Sequence, residues 1–411
     1  MTFTEHASAP PPTADDLPSF PQRRQCPYRP PAGYADLRAT SPTRVQLYDG
    51  NTAWLVTRYD QARSVLTSSA FSSDITKPGF PIFAVALAAA RQAAAHVKPL
   101  VVLDPPDHTV LRKMVVGEFT VRRMNGLRPQ IQETADRLVD AMLAMEPPVN
   151  LAEVFSFPMA GNVICHLLGI PYAELEQFMV GHRVDTDLQN MDEVLRNQIA
   201  LRSMVLSMIE EKEANPGDDV LSRIIAKHVA TGALSTSELA TLAVIIMGAG
   251  YGPTSSMLSL GVALLLDHPD QLAALRDDPT VYPDAVEEVL RYVSVSDLSA
   301  LRVATADVMV GDQLVRAGEG VIAPNGAANF DPDVFENPDD LDVRRQARQQ
   351  LAFGHGIHQC LGGNLTRVEL EIAYETLFTR IPTLRLAVPL DRIVSREDSA
   401  LPEVYDVPVT W

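Results

Sequence analysis

"FGHGIHQCLGG", residues 353–363, is the stretch on which the reading of this chain turns. Cys360 has Phe353 seven residues before it, Gly354 and Gly356 on the approach, and Gly362 just after. The apolar spacing that follows predicts a helix from about Leu361. A thiolate at a helix N-terminus is stabilised by the dipole and by the orphan N–H groups of the first turn. Glycines let the backbone wrap close to the sulfur, and an aromatic ring shields it. That combination suits an axial thiolate ligand to iron. A lone cysteine at a helix start is more often a buried structural residue. Here the whole ten-residue pattern F-G-x-G-x-H-x-C-x-G is present, which reverses that weighting.

The pattern resembles the heme-binding loop of cytochromes P450, and the resemblance runs over residues 40–411. It implies a mainly α fold with small β-sheets and a long central helix over the heme. A flexible tail, 1–20, is expected before one large domain, 21–411. Cys360 would be the iron ligand, with Phe353, Gly354 and Gly362 shaping its loop. Glu288-Val-Leu-Arg291 is similar to the family's E-x-x-R pair, whose members share a helix face at i and i+3. Arg345, in "LDVRR", matches the third partner of that pair. His108 and Arg112, four apart in "DPPDHTVLRK", match family positions that hold the heme propionates, as do Arg302 and His358. The implied cofactor is heme b, bound without thioether links, since no CxxCH is present.

"AGYGPTSS", 249–256, belongs to the longest apolar segment. Ser235 followed by Glu238 reads as a capping box that opens this helix. In the resembling family the segment reads A-G-x-acid-Thr. Ala249 and Gly250 match, but Gly252 stands at the acid and Pro253 at the threonine. Thr254 lies one residue on, about 100° around the helix. Proline has no N–H for the carbonyl of Ala249 and costs a helix interior about 3 kcal/mol. An altered oxygen-activation step and a tolerated kink both fit these letters. Protons would then come from water, Thr254, Ser255 or the substrate. A Gly-rich phosphate loop, Gly248-x-Gly250-x-Gly252, is set aside. Its third glycine would be residue 253, and no βαβ alternation flanks it. The substrate pocket is expected from Ala249, Gly250, Pro253, Leu298, Ser299 and Ala300, with Ile82, Phe83 and Val85 from the long loop. Such an apolar lining fits a lipophilic metabolite.

The rest of the chain agrees with an enzyme domain. Its 411 residues are 46% hydrophobic, enough for a sizeable core. "RVQLYDGNTAWLVTRY" reads as a hairpin around Asp49-Gly50-Asn51. One short helix is expected in the alanine-rich 86–95, and short strands with glycine turns follow residue 300. A net charge of −18 argues against a nucleic-acid or anionic-membrane partner. No run of 18 apolar residues is present, so no membrane span is expected. The N-terminal segment shows no basic and apolar secretory pattern, and Cys26, Cys165 and Cys360 show no disulfide or zinc spacing. A cytoplasmic monomer is expected. Arg112, Lys113, Arg122, Arg123, Arg344, Arg348 and Arg367 would form a basic face on the thiolate side, suited to an acidic ferredoxin and its reductase. The resemblance thus implies a P450-type monooxygenase or oxidase. A peroxide-driven form and an NADH-dependent nitric oxide reductase type are the alternatives within the family. A non-catalytic heme or gas-binding protein is the alternative outside it.

Overall fold

The computed structural model describes residues 17–95, 97–176, 191–393 and 404–411. Three short helices come first: α1 (Gly33–Arg38), α2 (Tyr59–Thr67) and α3 (Val85–Ala94). The helical body follows with α4 (Asp107–Val115), α5 (Val121–Gly126), α6 (Arg128–Leu143), α7 (Phe157–Leu168), α8 (Met191–Ala214) and α9 (Val220–Ile224). Then come α10 (Thr236–Asp267), α11 (Pro269–Asp277), α12 (Tyr282–Val293), α13 (Asn325–Asn329) and α14 (Gly363–Arg380).

The 32-residue α10 is the axis of the molecule. Its start is the expected capping box: Glu238 N–H donates to Ser235 Oγ at 3.2 Å, and Ser235 N–H donates to Glu238 Oε2 at 2.8 Å. From Thr254 to Leu265 every residue is buried, its small hydroxyl side chains included, so this half is enclosed on all sides by other elements. It packs against α7, α8, α12 and α14, while α6 packs against α7 and α14. A fully buried Leu or Ile side chain contributes about 1.5–3 kcal/mol, which is why this bundle dominates the core. The helix stays continuous through Pro253.

Strands gather at one side. β1 (Thr43–Gln46) and β2 (Thr52–Leu55) form the expected antiparallel hairpin, with Arg44 opposite Trp54. β3 (Phe71–Ser72) ends the same sheet, and β4 (Val149–Asn150) belongs to another. β5 (Leu301–Ala304), β6 (Val308–Val310), β7 (Gln313–Val315) and β8 (Gly320–Ile322) follow α12. The five-stranded sheet has the order β1-β2-β8-β5-β3, with β2 and β8 parallel. A second sheet joins β4 to β10 (Pro408–Thr410) and β9 (Arg385–Leu386), and β6 pairs with β7.

Two expectations change. The chain is anchored before residue 21. Ser19 bridges to Gln46, and buried Phe20 meets Phe83 edge to face, 5.5 Å between ring centres. An apolar ring beside a sheet gains more by burial than by staying in solvent, so residues 17–20 belong to the domain; residues 1–16 of the expected tail lie outside the described residues. The helix after Cys360 starts at Gly363, not Leu361, because the chain must first turn around the sulfur. Among the described residues, no helix is long and apolar enough to cross a membrane.

Candidate functional site

The loop 353–362 closes on itself through the Cys360 N–H, which donates to the Phe353 carbonyl at 2.9 Å. Gly354 and Gly356 have φ of +67° and +76°, conformations that a side chain disfavours. A Cβ on Gly356 would also stand 2.4 Å from the Leu66 carbonyl oxygen, so α2 seats directly on the loop. The Cys360 side chain opens into a cavity but lies deep below the outer surface. Burial therefore pushes its thiol up, against the Gly362 and Gly363 N–H groups and the Arg112 and Arg367 cations, which act in the opposite sense.

Beside the loop stands a group of bases, with the Asp104 carboxylate acting on two of them, His108 and Arg302. His108 is buried, and neither of its ring nitrogens has a hydrogen-bond partner among the described residues. Its ring centre is 4.2 Å from that of His358. Arg302, on β5, is buried, and among the described residues its guanidinium donates to the neighbouring Leu301 carbonyl alone, at 2.8 Å. Burial lowers its pKa to about 10. Arg112 donates to the Gln359 carbonyl at 2.6 Å. Burial, then Arg302, His108 and Arg112, drives His358 down to about 3. Such a cluster is costly unless a strongly anionic group sits among its members. Two carboxylates of a heme would satisfy it, and no Cβ blocks the space beside Gly354 and Gly362. The residues present fit the group.

The opposite wall is one face of α10. Leu242, Ile246, Ala249, Gly250, Pro253 and Thr254 line a cavity of about 330 Å³ together with the Cys360 loop. Their spacing of three and four residues is the helical repeat, so the face is set by sequence alone. Gly250 is small because α7 comes close: a Cβ there would meet Ile164 Cδ1 at 2.7 Å. Gly252 is off the cavity face, and its carbonyl accepts the Ser255 hydroxyl at 2.9 Å. Ser255 is thereby held away from the cavity. Thr254, by contrast, lies in the wall beside Pro253.

Ser299 and Ala300 line the same cavity, as the sequence suggests. Ile82 and Phe83 do not. They pack with Phe20, Tyr34 and Val45 in a separate core beside the five-stranded sheet, and Leu298 packs against that core. The sheet's own apolar face captures them. The Val85 side chain lies outside the described residues. Sequence reasoning missed Leu100, Val101, Ile164 and Glu369, all in the cavity wall. The spacing Leu365–Glu369 on α14, continued back toward Cys360, is the signal that points to the last of these.

Beneath the site, Glu288, Arg291 and Arg345 lie together. Arg291 Nε lies 2.7 Å from Glu288 Oε2, and Arg345 Nε lies 3.1 Å from Glu288 Oε1. Arg291 also donates to the Asn329 and Pro338 carbonyls, both at 2.9 Å. The basic face is smaller than expected. Arg123 pairs with Glu118 at 3.6 Å, Arg344 with Asp278 at 3.4 Å and Arg348 with Asp284 at 3.5 Å. Arg367 pairs with Glu287 and stacks on Phe353, 4.7 Å from the ring centre. Carboxylates within reach neutralise these cations locally, leaving exposed Lys113 and Arg122 as the outward charges of the expected set.

Comparison with known proteins agrees with this geometry. The family model described as Cytochrome P450 matches residues 179–382. The chain is 42% identical over 402 residues to the vitamin D3 dihydroxylase of Streptomyces griseolus, covering 97% of this chain and 98% of that one. It is 43% identical to the pentalenic acid synthase of Streptomyces avermitilis, over 96% and 97% of the two chains. The crystal structure of cytochrome P450 MoxA from Nonomuraea recticatena superposes with a TM-score of 0.90 at 43% identity, covering 96% of this chain and 98% of that one. At that identity over nearly its whole length, the chain belongs to the cytochrome P450 family, whose members hold heme through a cysteine thiolate, and it is a monooxygenase of that family.

Proposed function

We propose that the protein oxidises a lipophilic, secondary-metabolite-type substrate with electrons from a ferredoxin and its reductase, and that it does so without the usual acid–hydroxyl pair on its central helix. The observation that carries this reading is the cavity face of α10, which is apolar from Leu242 to Pro253 and has its first hydroxyl at Thr254. Relatives named for vitamin D3 and pentalenic acid support the substrate class.

Heme, when bound, supplies the binding and activation of oxygen. The chain supplies the rest. Cys360 would hold the iron, with the Gly362 and Gly363 N–H groups directed at the sulfur. His108, Arg112, Arg302 and His358 would take the propionates. Ile164, Leu100 and the α10 face exclude water and press an apolar substrate toward the loop. Thr254 holds a hydroxyl proton in that wall.

The reduced protein with carbon monoxide is expected to show the red-shifted Soret band of thiolate ligation, and Cys360→Ala to lose it. With ferredoxin, reductase and labelled dioxygen, a panel of secosteroid, terpenoid and macrolide probes is expected to yield a product carrying one labelled oxygen. A normal band in Cys360→Ala, or products without label, would overturn the reading. Gly252 and Pro253 also favour a peroxide-driven variant. Hydrogen peroxide brings the protons and electrons that the missing pair otherwise manages.

A further inference from the structure

We propose that the ion pair of Arg24 with Asp297 is a positioning device that sets one wall of the cavity, so that the segment before α1 takes part in choosing what the cavity accepts. This rests on the reading that the cavity takes an apolar substrate beside the cysteine loop.

The chain leaves α12 at Val293 and enters β5 at Leu301. In the turn between them, Val295, Ser296, Ser299 and Ala300 line the cavity. Asp297 belongs to the same turn but not to the cavity wall, and it is 1% exposed. Its contacts lie behind the wall. Oδ1 accepts the Gly326 N–H at 2.6 Å, and a Cβ on Gly326 would stand 2.9 Å from that oxygen. Oδ2 lies 3.4 Å from Arg24 Nη2. Arg24 Nη1 donates to the Arg29 carbonyl at 3.0 Å, so the guanidinium is itself fixed by the segment before α1.

The other ties of the turn are uncharged. Asn325 Nδ2 donates to the Ser296 carbonyl at 3.3 Å, and Ser299 Oγ donates to the same carbonyl at 2.7 Å. The Ala323 N–H donates to the Ala300 carbonyl at 3.0 Å. Leu298 packs against the core beside the five-stranded sheet. Asp297 is thus the charged anchor of the turn, placed between the two serines that meet the cavity.

A carboxylate at that burial is costly unless a cation compensates it. Burial pushes the Asp297 carboxyl up; Arg24, and after it the Gly326 N–H, act in the opposite sense. Without Arg24 the carboxylate is left to take a proton or to move toward water. The turn would then shift, and Ser296 and Ser299 with it. A displacement on the order of 1 Å far from the reacting atoms is enough to cost binding and rate. Arg24 and Asp297 are positioning residues and touch neither substrate nor heme in this account.

The test uses the heme-loaded protein and two ligands of ferric heme, each read by its spectral shift. Imidazole needs only the iron, whereas 4-phenylimidazole adds a ring that the cavity must accommodate. Arg24→Gln is expected to weaken 4-phenylimidazole about tenfold, with imidazole binding and heme content unchanged. Arg24→Lys keeps the charge and should restore most of the loss. Asp297→Asn should match Arg24→Gln, and the double variant should be no worse than either single change, because the two side chains act as one unit. On a probe that the wild type oxidises, Arg24→Gln should raise KM and alter the product ratio while kcat changes less. A lowered melting temperature with unchanged 4-phenylimidazole binding would make the pair a structural tie only and overturn the proposal. Losses that add in the double variant would overturn it too. If 4-phenylimidazole responded to Arg24 as expected while no secosteroid, terpenoid or macrolide probe were oxidised, the reading of the substrate would fail and the positioning role would stand.

Discussion

Glu288 and Arg291 have no exposed surface, which makes them a brace and not a chemical pair. Removing one partner leaves the other charge buried and uncompensated, at a cost of about 3–5 kcal/mol. Arg291 would lose Glu288 while still tied to the Asn329 and Pro338 carbonyls, so the strands and loops that seat the Cys360 loop would loosen. Glu288→Ala is therefore expected to express poorly or with little heme. Heme titration and a melting curve check this; full heme content with lost turnover would assign the pair a chemical role. The pair itself was legible, because i and i+3 on a helix are neighbours by geometry. Glu287, one residue earlier, was not: its partner Arg367 lies on another helix, and nothing local couples them.

At the scale of an element, α10 explains its own odd letters. Gly250 admits Ile164, so that glycine answers to packing. Gly252 lies off the cavity face, and Pro253 lies on it. Pro253→Thr would restore an N–H for the Ala249 carbonyl. A mid-helix proline costs about 3 kcal/mol, so this single change should raise the melting temperature by several degrees. Adding Gly252→Glu should alter the split between product and released hydrogen peroxide, with heme binding intact. The new carboxylate would start next to a carbonyl already taken by Ser255, off the cavity wall. Peroxide assays on both variants decide the matter. Unchanged products and unchanged release would leave the stretch as a tolerated kink.

At the scale of the molecule, charge is what the proposed ferredoxin docking would depend on. The chain carries −18 overall, yet exposed Lys113 and Arg122 stand on α4 and α5, the helices next to the cysteine loop. Reversing both charges, Lys113→Glu with Arg122→Glu, is expected to slow reduction by ferredoxin several-fold at low salt. The gap should close as salt screens it. Stopped-flow reduction across ionic strength measures this, and equal rates at every salt would move the docking face elsewhere. Arg123 is unsuited to the test. It pairs with buried Glu118, which Arg223 and Lys227 also hold, at 2.6 and 2.8 Å.

What the sequence determined by itself was local or motif-bound. The cysteine loop, the Ser235 cap, the Asp49-Gly50 hairpin and the helical repeat of α10 all depend on neighbours within a few residues. Backbone geometry imposes them wherever the chain goes. The tertiary structure alone decided which apolar residues face the cavity and which face the sheet. Ile82 and Phe83 are as apolar as Leu100 and Val101, and only packing separates the two pairs. It also decided which arginines keep their charge available, since Arg344 and Arg348 meet carboxylates some 65 residues away in sequence. Glu369 is the clearest case. Its letter is an ordinary helical glutamate, and burial pushes its carboxyl up to about 8.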